Sequence, residues 1–353
     1  MYIKDGTVRF DACDKNFVKK FGLIEAANMV LDFSSTHNIP FVYDVWQLSV
    51  YLGENPKCLW PIVKHVDDMY KVCFVPKRNG GTRQLCSPNS RLKAIQHNVL
   101  KKFLNNMPVS KYATAYIKGK TLSDNAKLHT NKKYVLKMDI SDFFGSIHFD
   151  KIYNSAFNTT LFPKQIGYML TSLCCRKDVL PQGAPTSPAL SNIVMKRFDD
   201  YIGDWCKGRG ISYTRYCDDM TFSSNKPLYN MYVKVKKVLE DMGFELNDKK
   251  THFITSNSRQ SVTGLTVNRK VSVSKDYKRA LRQEVYFALK FGLAESIMHG
   301  DKTDFVKNNA PDTAAYYHNL LGRVSYVLQI EPNNNYFCEA IRELRTGKIL
   351  AQI

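Results

Sequence analysis

The chain has no CxxC pair and no Cys/His cluster, although it carries nine cysteines, at positions 13, 58, 73, 86, 174, 175, 206, 217 and 338. An odd number without ligand spacing argues against a zinc site and against a disulfide framework, and fits a reducing compartment. No run of about 18 apolar residues occurs, so no membrane span and no membrane partner are expected. The first residues, MYIKDGTVRFDACDKNF, lack the apolar stretch of a signal peptide. Together these absences predict a cytoplasmic protein. Internal repeats and low-complexity tracts are missing as well.

Acidic residues are also in short supply. Lys and Arg number 51 against 32 Asp and Glu, a net charge of +19. A surplus of that size repels itself unless a polyanion is near, so nucleic acid is the first partner to consider. The alternative is that the charge serves only solubility. At 353 residues the chain exceeds a domain of roughly 100–200 residues, so two or three lobes are expected.

Patterning gives the organisation. Leu23 to Phe33 has helical spacing. Tyr70 to Val75 and Thr82 to Leu85 read as strands around a turn at Lys77-Arg78-Asn79-Gly80-Gly81. Leu92, Ile95, Val99 and Phe103 mark a helix. Tyr134 to Ile140 reads as a strand ending in carboxylates. A Pro/Gly-rich loop from Leu180 to Pro188 feeds a helix with an apolar stripe of Leu190, Val194, Phe198, Tyr201 and Trp205, which Gly208 and Gly210 end. Ile211 to Phe222 reads as two strands joined at Cys217-Asp218-Asp219. A further helix carries Tyr232, Val235, Leu239 and Met242. Thr251 to Thr255 and Val262 to Val267 read as strands, and the chain from about Asp276 as mostly helical. This order predicts an α+β catalytic lobe followed by a helical one.

Asp139 ends one strand, and Asp218 with Asp219 sits at a hairpin tip 79 positions downstream. Phosphoryl transfer needs charge neutralised on the attacking and the leaving oxygen. Two divalent ions do this, and carboxylates from separate strands hold them. An Asp pair in a solvated turn is the commoner occurrence. Here, however, Tyr213-Thr214-Arg215-Tyr216 and Met220-Thr221-Phe222 enclose the pair in an apolar hairpin.

Several segments carry a resemblance. Tyr216-Cys217-Asp218-Asp219 resembles the YxDD box of reverse transcriptases. Met138-Asp139-Ile140-Ser141-Asp142-Phe143-Phe144 resembles their first metal-binding strand, and Leu180-Pro181-Gln182-Gly183-Ala184-Pro185 with Ser187-Pro188 the loop under the incoming nucleotide. The resemblance runs from about Lys77 to Gly264. It implies a right-hand polymerase fold, with fingers and an antiparallel palm followed by a helical thumb. The expected divisions are 1–65 (a helical extension), 66–133 (fingers), 134–268 (palm, with 150–180 adding to the fingers) and 269–353 (thumb and C-terminal region).

Site roles follow from the same resemblance. Asp139, Asp218 and Asp219, with the main chain of Ile140, would hold two Mg2+ ions, for which Mn2+ could substitute. Lys77, Arg83, Gln182, Gly183 and Ala184 would meet the deoxynucleoside triphosphate. Phe144 would stand against the sugar 2′ position and select deoxynucleotides, with Phe143 in the core. Glu245-Leu246-Asn247-Asp248-Lys249-Lys250-Thr251 resembles a lysine box, making Lys250 the candidate acid for departing pyrophosphate; a salt bridge or template contact is the other reading.

Asn125-Ala126-Lys127-Leu128-His129 resembles the NAxxH box, and Val262-Thr263-Gly264 the VTG box, of bacterial retron reverse transcriptases. Leu320-Leu321-Gly322-Arg323 suits a retron thumb. The resemblance implies recognition of a cognate structured non-coding RNA through Asn125, His129, Val262, Thr263 and Gly264. The enzyme would copy that RNA into multicopy single-stranded DNA from an RNA 2′-hydroxyl. A host ribonuclease H would remove template, since no such domain is legible, and an effector protein for anti-phage defence is the further partner expected. Lys275, Lys278, Arg279 and Arg282 suit gripping a duplex backbone. Rival readings are a group II intron or abortive-infection reverse transcriptase, an RNA-dependent RNA polymerase, and a catalytically inert RNA-binding scaffold.

Overall fold

Alternating and helical apolar spacings become regular elements over most of the chain. The computed structural model describes residues 2–4, 7–10, 14–76, 80–300, 302–307, 310–346 and 349. Strands β1 (Tyr2–Lys4) and β2 (Thr7–Arg9) pair antiparallel, and helices α1 (Lys15–Phe21), α2 (Leu23–Thr36), α3 (Val45–Leu52) and α4 (Pro56–Lys64) follow. Phe17, Ala26 and Val30 form a small core there. Strands β3 (Tyr70–Pro76) and β4 (Thr82–Pro88) pair antiparallel, Tyr70 opposite Pro88. Helix α5 (Ser90–Lys102) starts on Asn89, whose side chain accepts from the Leu92 N–H and so satisfies an otherwise open donor.

Next come α6 (Leu122–Lys127), β5 (Tyr134–Asp139), α7 (Phe149–Ala156), α8 (Lys164–Cys174) and α9 (Ser187–Lys207). They are followed by β6 (Ser212–Tyr216), β7 (Asp219–Ser224), α10 (Tyr229–Asp241) and β8 (His252–Thr255). The remainder comprises β9 (Ser261–Val262), β10 (Leu265–Thr266), α11 (Lys275–Phe291), α12 (Leu293–Met298), β11 (Val306–Lys307), β12 (Ala310–Pro311), α13 (Thr313–Ile330) and α14 (Asn335–Leu344). A four-stranded sheet has the order β6-β7-β5-β8. Among the described residues no helix is long and apolar enough to cross a membrane.

The chain forms two compact units, each drawn from separated segments. The first comprises Met1–Gly119, Lys137–Met220 and Tyr229–Thr251; the second comprises Lys120–Leu136, Thr221–Leu228 and His252–Ile353. Within the second, Val262, Leu265, Leu281, Val285, Tyr316, Leu320 and Phe337 belong to one core.

Three elements differ from the sequence expectation. The buried row of α9 continues from Phe198 through Ile202 and Cys206, not through Tyr201 and Trp205. Steps of four hold the row on the inner side, while Tyr201 turns outward and its hydroxyl accepts from Lys234 at 2.6 Å. Residues 262–267 are not one strand, because Thr263 and Gly264 take φ of 46° and 84° and turn β9 back onto β10. The helical C-terminal part is also interrupted by the β11–β12 hairpin.

In the second unit His129 is fully buried, its Nδ1 2.7 Å from the Ser223 hydroxyl. Burial, and secondarily the charge of Lys132, push its pKa down to about 3. An unfolded histidine takes its proton near 6.5. The stability contributed by neutral His129 is therefore complete above about pH 6.5 and lost as pH falls toward 3. Thermal unfolding across that window should show His129→Gln with a shallower acid limb, by about one proton. Equal slopes would remove the assignment.

Candidate active site

The end of β5 is where the sequence-selected acids meet. Val135, Leu136 and Met138 are buried, while Lys137 and Asp139 are only partly covered. The Ile140 N–H donates to the Asp218 carbonyl at 3.2 Å. On another side, the Asn247 N–H donates to the Asp139 carbonyl at 2.8 Å and the Ser141 N–H to the Glu245 carbonyl at 2.8 Å. Main-chain bonds thus bring the 216–219 hairpin tip and the 245–250 segment to the end of this strand. The turn between β6 and β7 consists of Cys217 and Asp218. Cys217 has φ of 61°, a value that glycine usually supplies in a two-residue hairpin turn.

Charge is crowded here. Asp218 is raised above the ordinary carboxylate range, first by burial and then by the charge of Asp139. Asp219 is raised by burial, against which Lys137 works from 3.6 Å. Lys250 Nζ donates to Asp139 Oδ1 at 2.8 Å while remaining largely exposed. Among the described residues, no three His, Cys, Asp or Glu side chains already close into a metal cage. The donor chemistry nevertheless fits a hard divalent ion. The carboxylates are oxygen donors whose negative charge burial and mutual repulsion leave poorly compensated, and Mg2+ completes its shell with water.

Sequence reasoning missed the residues behind the hairpin tip. Arg215 and Asp199 are both fully buried and paired. Arg215 Nε donates to Asp199 Oδ1 and Oδ2 at 2.9 and 3.1 Å, and Nη2 to Asp199 Oδ2 at 2.6 Å and Asn192 Oδ1 at 3.1 Å. Its Nη1 donates to the Cys217 carbonyl at 2.8 Å, and the Tyr213 hydroxyl donates to Asp199 at 2.8 Å. The available signal was an arginine inside a run of strand formers. Lys137 was missed for want of any signal that separates it from a solvated lysine.

The nucleotide-loop residues occupy varied environments. Lys77 lies outside the described residues. Arg83 is exposed on β4, opposite Val75. The Gln182 carbonyl accepts from the Cys86 N–H at 2.7 Å, leaving its amide half-exposed. Gly183 has φ of 116°, and a Cβ there would stand 3.1 Å from the Cys86 carbonyl. Close approach at Gly183 is therefore taken up by β4 itself. Ala184 is buried, which corrects the expectation that it meets the triphosphate. Phe143 is buried, and Phe144 is partly exposed beside it with ring centroids 5.4 Å apart.

Direct RNA contact is corrected for three of the box residues. Asn125, His129 and Val262 are fully buried, out of reach of an external strand. Asn125 Nδ2 lies 3.4 Å from the Thr263 hydroxyl, so the two boxes meet as packing within the second unit. Thr263 is partly exposed and Gly264 exposed, and these two remain surface groups. Lys278 is held by Glu331 at 2.7 Å and mostly covered, and Arg323 pairs with Glu284. Neither is a free cation for a backbone. Lys275, Arg279 and Arg282 are exposed.

Comparison with known proteins gives the family of the chain. The family Reverse transcriptase (RNA-dependent DNA polymerase) matches residues 75–273, more than half the chain. Retron Ec83 reverse transcriptase of Escherichia coli is 35% identical over 62% of this chain and 75% of its own length. Retron Ec86 reverse transcriptase of the same species is 30% identical over 70% of this chain and 79% of its own. Retron Mx65 reverse transcriptase of Myxococcus xanthus is 30% identical over 74% of this chain, but the match spans only 62% of that protein. The polymerase-type α+β fold, the acids at the end of β5 and these relatives converge: the chain belongs to the reverse transcriptases, and among them to the bacterial retron reverse transcriptases.

Proposed function

We propose that this protein copies a cognate structured RNA into DNA at the end of β5, with Asp139, Asp218 and Asp219 as metal ligands. The observation carrying the reading is the electrostatic one: Asp139, from a distant segment, is held close enough to help raise Asp218 and Asp219 in a partly buried place. Two Mg2+ ions fit that need, with Mn2+ as substitute and the Ile140 main chain as a further oxygen donor. Bound there, such ions supply charge neutralisation on the attacking 3′-oxygen and on the leaving pyrophosphate.

The chain's own groups do the rest. Asp139, Asp218 and Asp219 fix where the charge is neutralised. Lys250, on an exposed and flexible stem, is placed to give a proton to departing pyrophosphate once it leaves Asp139. Arg83, exposed near the start of β4, and Lys77 meet the triphosphate as cations. Gln182 and Gly183 border the incoming nucleotide, and Phe144 excludes a ribose 2′-hydroxyl by bulk. The likeness to retron enzymes supports the specialised form of this activity. In that form an RNA 2′-hydroxyl primes synthesis, the product is multicopy single-stranded DNA, a host ribonuclease H trims the template, and an effector joins the complex in anti-phage defence. Thr263 and Gly264, with Lys275, Arg279 and Arg282, are the surface groups suited to the RNA.

Sequencing the nucleic acid that co-purifies from cells tests the retron reading. A branched RNA–DNA hybrid is expected, and random RNA would sink it. Asp218→Asn with Asp219→Asn should cut extension of a primed RNA by about 10³-fold while RNA binding persists. The same variant separates charge from fold. Raised carboxylates subtract stability while ionised at neutral pH and cease to as pH falls. Without metal the double variant should therefore melt no lower than wild type, and Mg2+ should raise the melting temperature of wild type alone. A Mg2+ shift in both would remove the acids from the site. Phe144→Ala should raise ribonucleotide incorporation about tenfold or more relative to deoxynucleotide; unchanged discrimination would end the gate assignment.

A further inference from the structure

The Arg215–Asp199 pair is a buried ion pair that the reaction itself does not use. Taking both charges out of water is costly, and apolar residues of similar size commonly serve a core as well or better. Its presence calls for something that only a guanidinium does. The fork of Arg215 reaches three acceptor residues on two pieces of chain: Asp199 and Asn192 on α9, and the Cys217 carbonyl at the hairpin tip. The main chain of Arg215 is itself fastened, its N–H to the Tyr112 carbonyl and its carbonyl to the Thr114 N–H, each at 2.9 Å. Asn192, in turn, donates to the Ala115 carbonyl at 2.8 Å. The guanidinium is thus a strut from α9 to the turn, anchored at both ends.

What the strut holds is one side of Asp218. The Cys217 carbonyl belongs to the peptide plane preceding Asp218, and the Asp218 carbonyl to the plane following it. Arg215 takes the first at 2.8 Å and the Ile140 N–H takes the second at 3.2 Å. Both peptide planes flanking this acid are tied, one to α9 through a charge-assisted bond and one to β5. The turn needs this, because Cys217 sits at φ of 61° without being glycine.

We infer that Arg215, oriented by Asp199 and Asn192, is a positioning residue that sets the Cys217–Asp218 turn and so aims the Asp218 carboxylate for cation binding. This rests on the reading of Asp218 as a metal ligand. The pair touches neither nucleotide nor primer, so it acts on metal affinity and turnover and not on nucleotide affinity.

Two variants of the full chain test it. Arg215→Lys keeps the buried charge, but its single ammonium does not span Asp199 and Cys217 together. Asp199→Leu with Arg215→Met removes both charges at similar volume. Mn2+ binding followed by electron paramagnetic resonance, with circular dichroism and steady-state extension, gives the readouts. Folded variants should bind Mn2+ about tenfold more weakly and lose about 10–100-fold in kcat, with KM for the deoxynucleotide changed by less than about twofold. Wild-type Mn2+ affinity and kcat in either folded variant would overturn the proposal. So would failure of both to fold, which would make the pair a determinant of the fold as a whole. Asp218→Asn with Asp219→Asn serves as the reference. If it still binds Mn2+ as wild type does, the metal reading fails whatever the strut variants do. If it loses Mn2+ while they keep it, only the positioning role falls.

Discussion

Like charges brought together where water is scarce push each other apart, and a protein that gathers them must hold their backbones by force from elsewhere. In this chain the burden falls on main-chain bonds and one buried guanidinium. Ile140, Asn247 and Ser141 lock β5 to the hairpin tip and to the 245–247 segment. Arg215 grips the tip from behind. Neither device supplies a countercharge to the acids' faces, and Asp218 and Asp219 stay raised, by burial first and by neighbouring acids after it. A site that neutralised itself with a close cation on every acid would have little left for a metal. Here Lys250 stands against Asp139 and Lys137 near Asp219, while Asp218 is left raised.

The second unit shows motif residues used as packing. Asn125 and His129 are polar and fully buried, yet each has a partner: Thr263 for one and Ser223 for the other. The NAxxH segment thereby fastens α6 and its following turn to the β9–β10 hairpin and to β7. A buried polar group without a partner costs more than a hydrogen bond returns, so such positions tolerate few replacements. Burial with a partner is thus a structural reason for these residue types, while Thr263 and Gly264 stay at the surface.

How much was legible in the sequence differs by kind of residue. The strand ending at Asp139, the hairpin carrying Asp218 and Asp219, and helices α5, α10, α11 and α13 all show in apolar periodicity, because local spacing decides them. The fate of polar residues does not. Lys278 reads as a surface cation, yet Glu331 covers most of it, and the buried pairing of Arg215 with Asp199 leaves no mark in the hairpin's sequence. Ala184 reads as a nucleotide contact, yet it is buried. Val262 to Val267 shows one apolar rhythm, and only the positive φ at Thr263 and Gly264 breaks it. Pairing at a distance and backbone handedness leave little trace in residue type, and the misreadings gather there.

Lys250 joins the two roles proposed for the site. Its ammonium rests on Asp139 through a bond whose lysine end is exposed. An exposed ion pair of this sort is worth about 0–1 kcal/mol, far less than a divalent ion gains from the same carboxylate. Lys250 therefore leaves Asp139 at little cost. A lysine is a compact charge on a four-carbon stem, so in the proposed reaction it would carry its proton only a short way to departing pyrophosphate. Occupying the acid before the reaction and supplying a proton during it are then successive positions of one side chain, and the weakness of its resting bond is what lets it move between them.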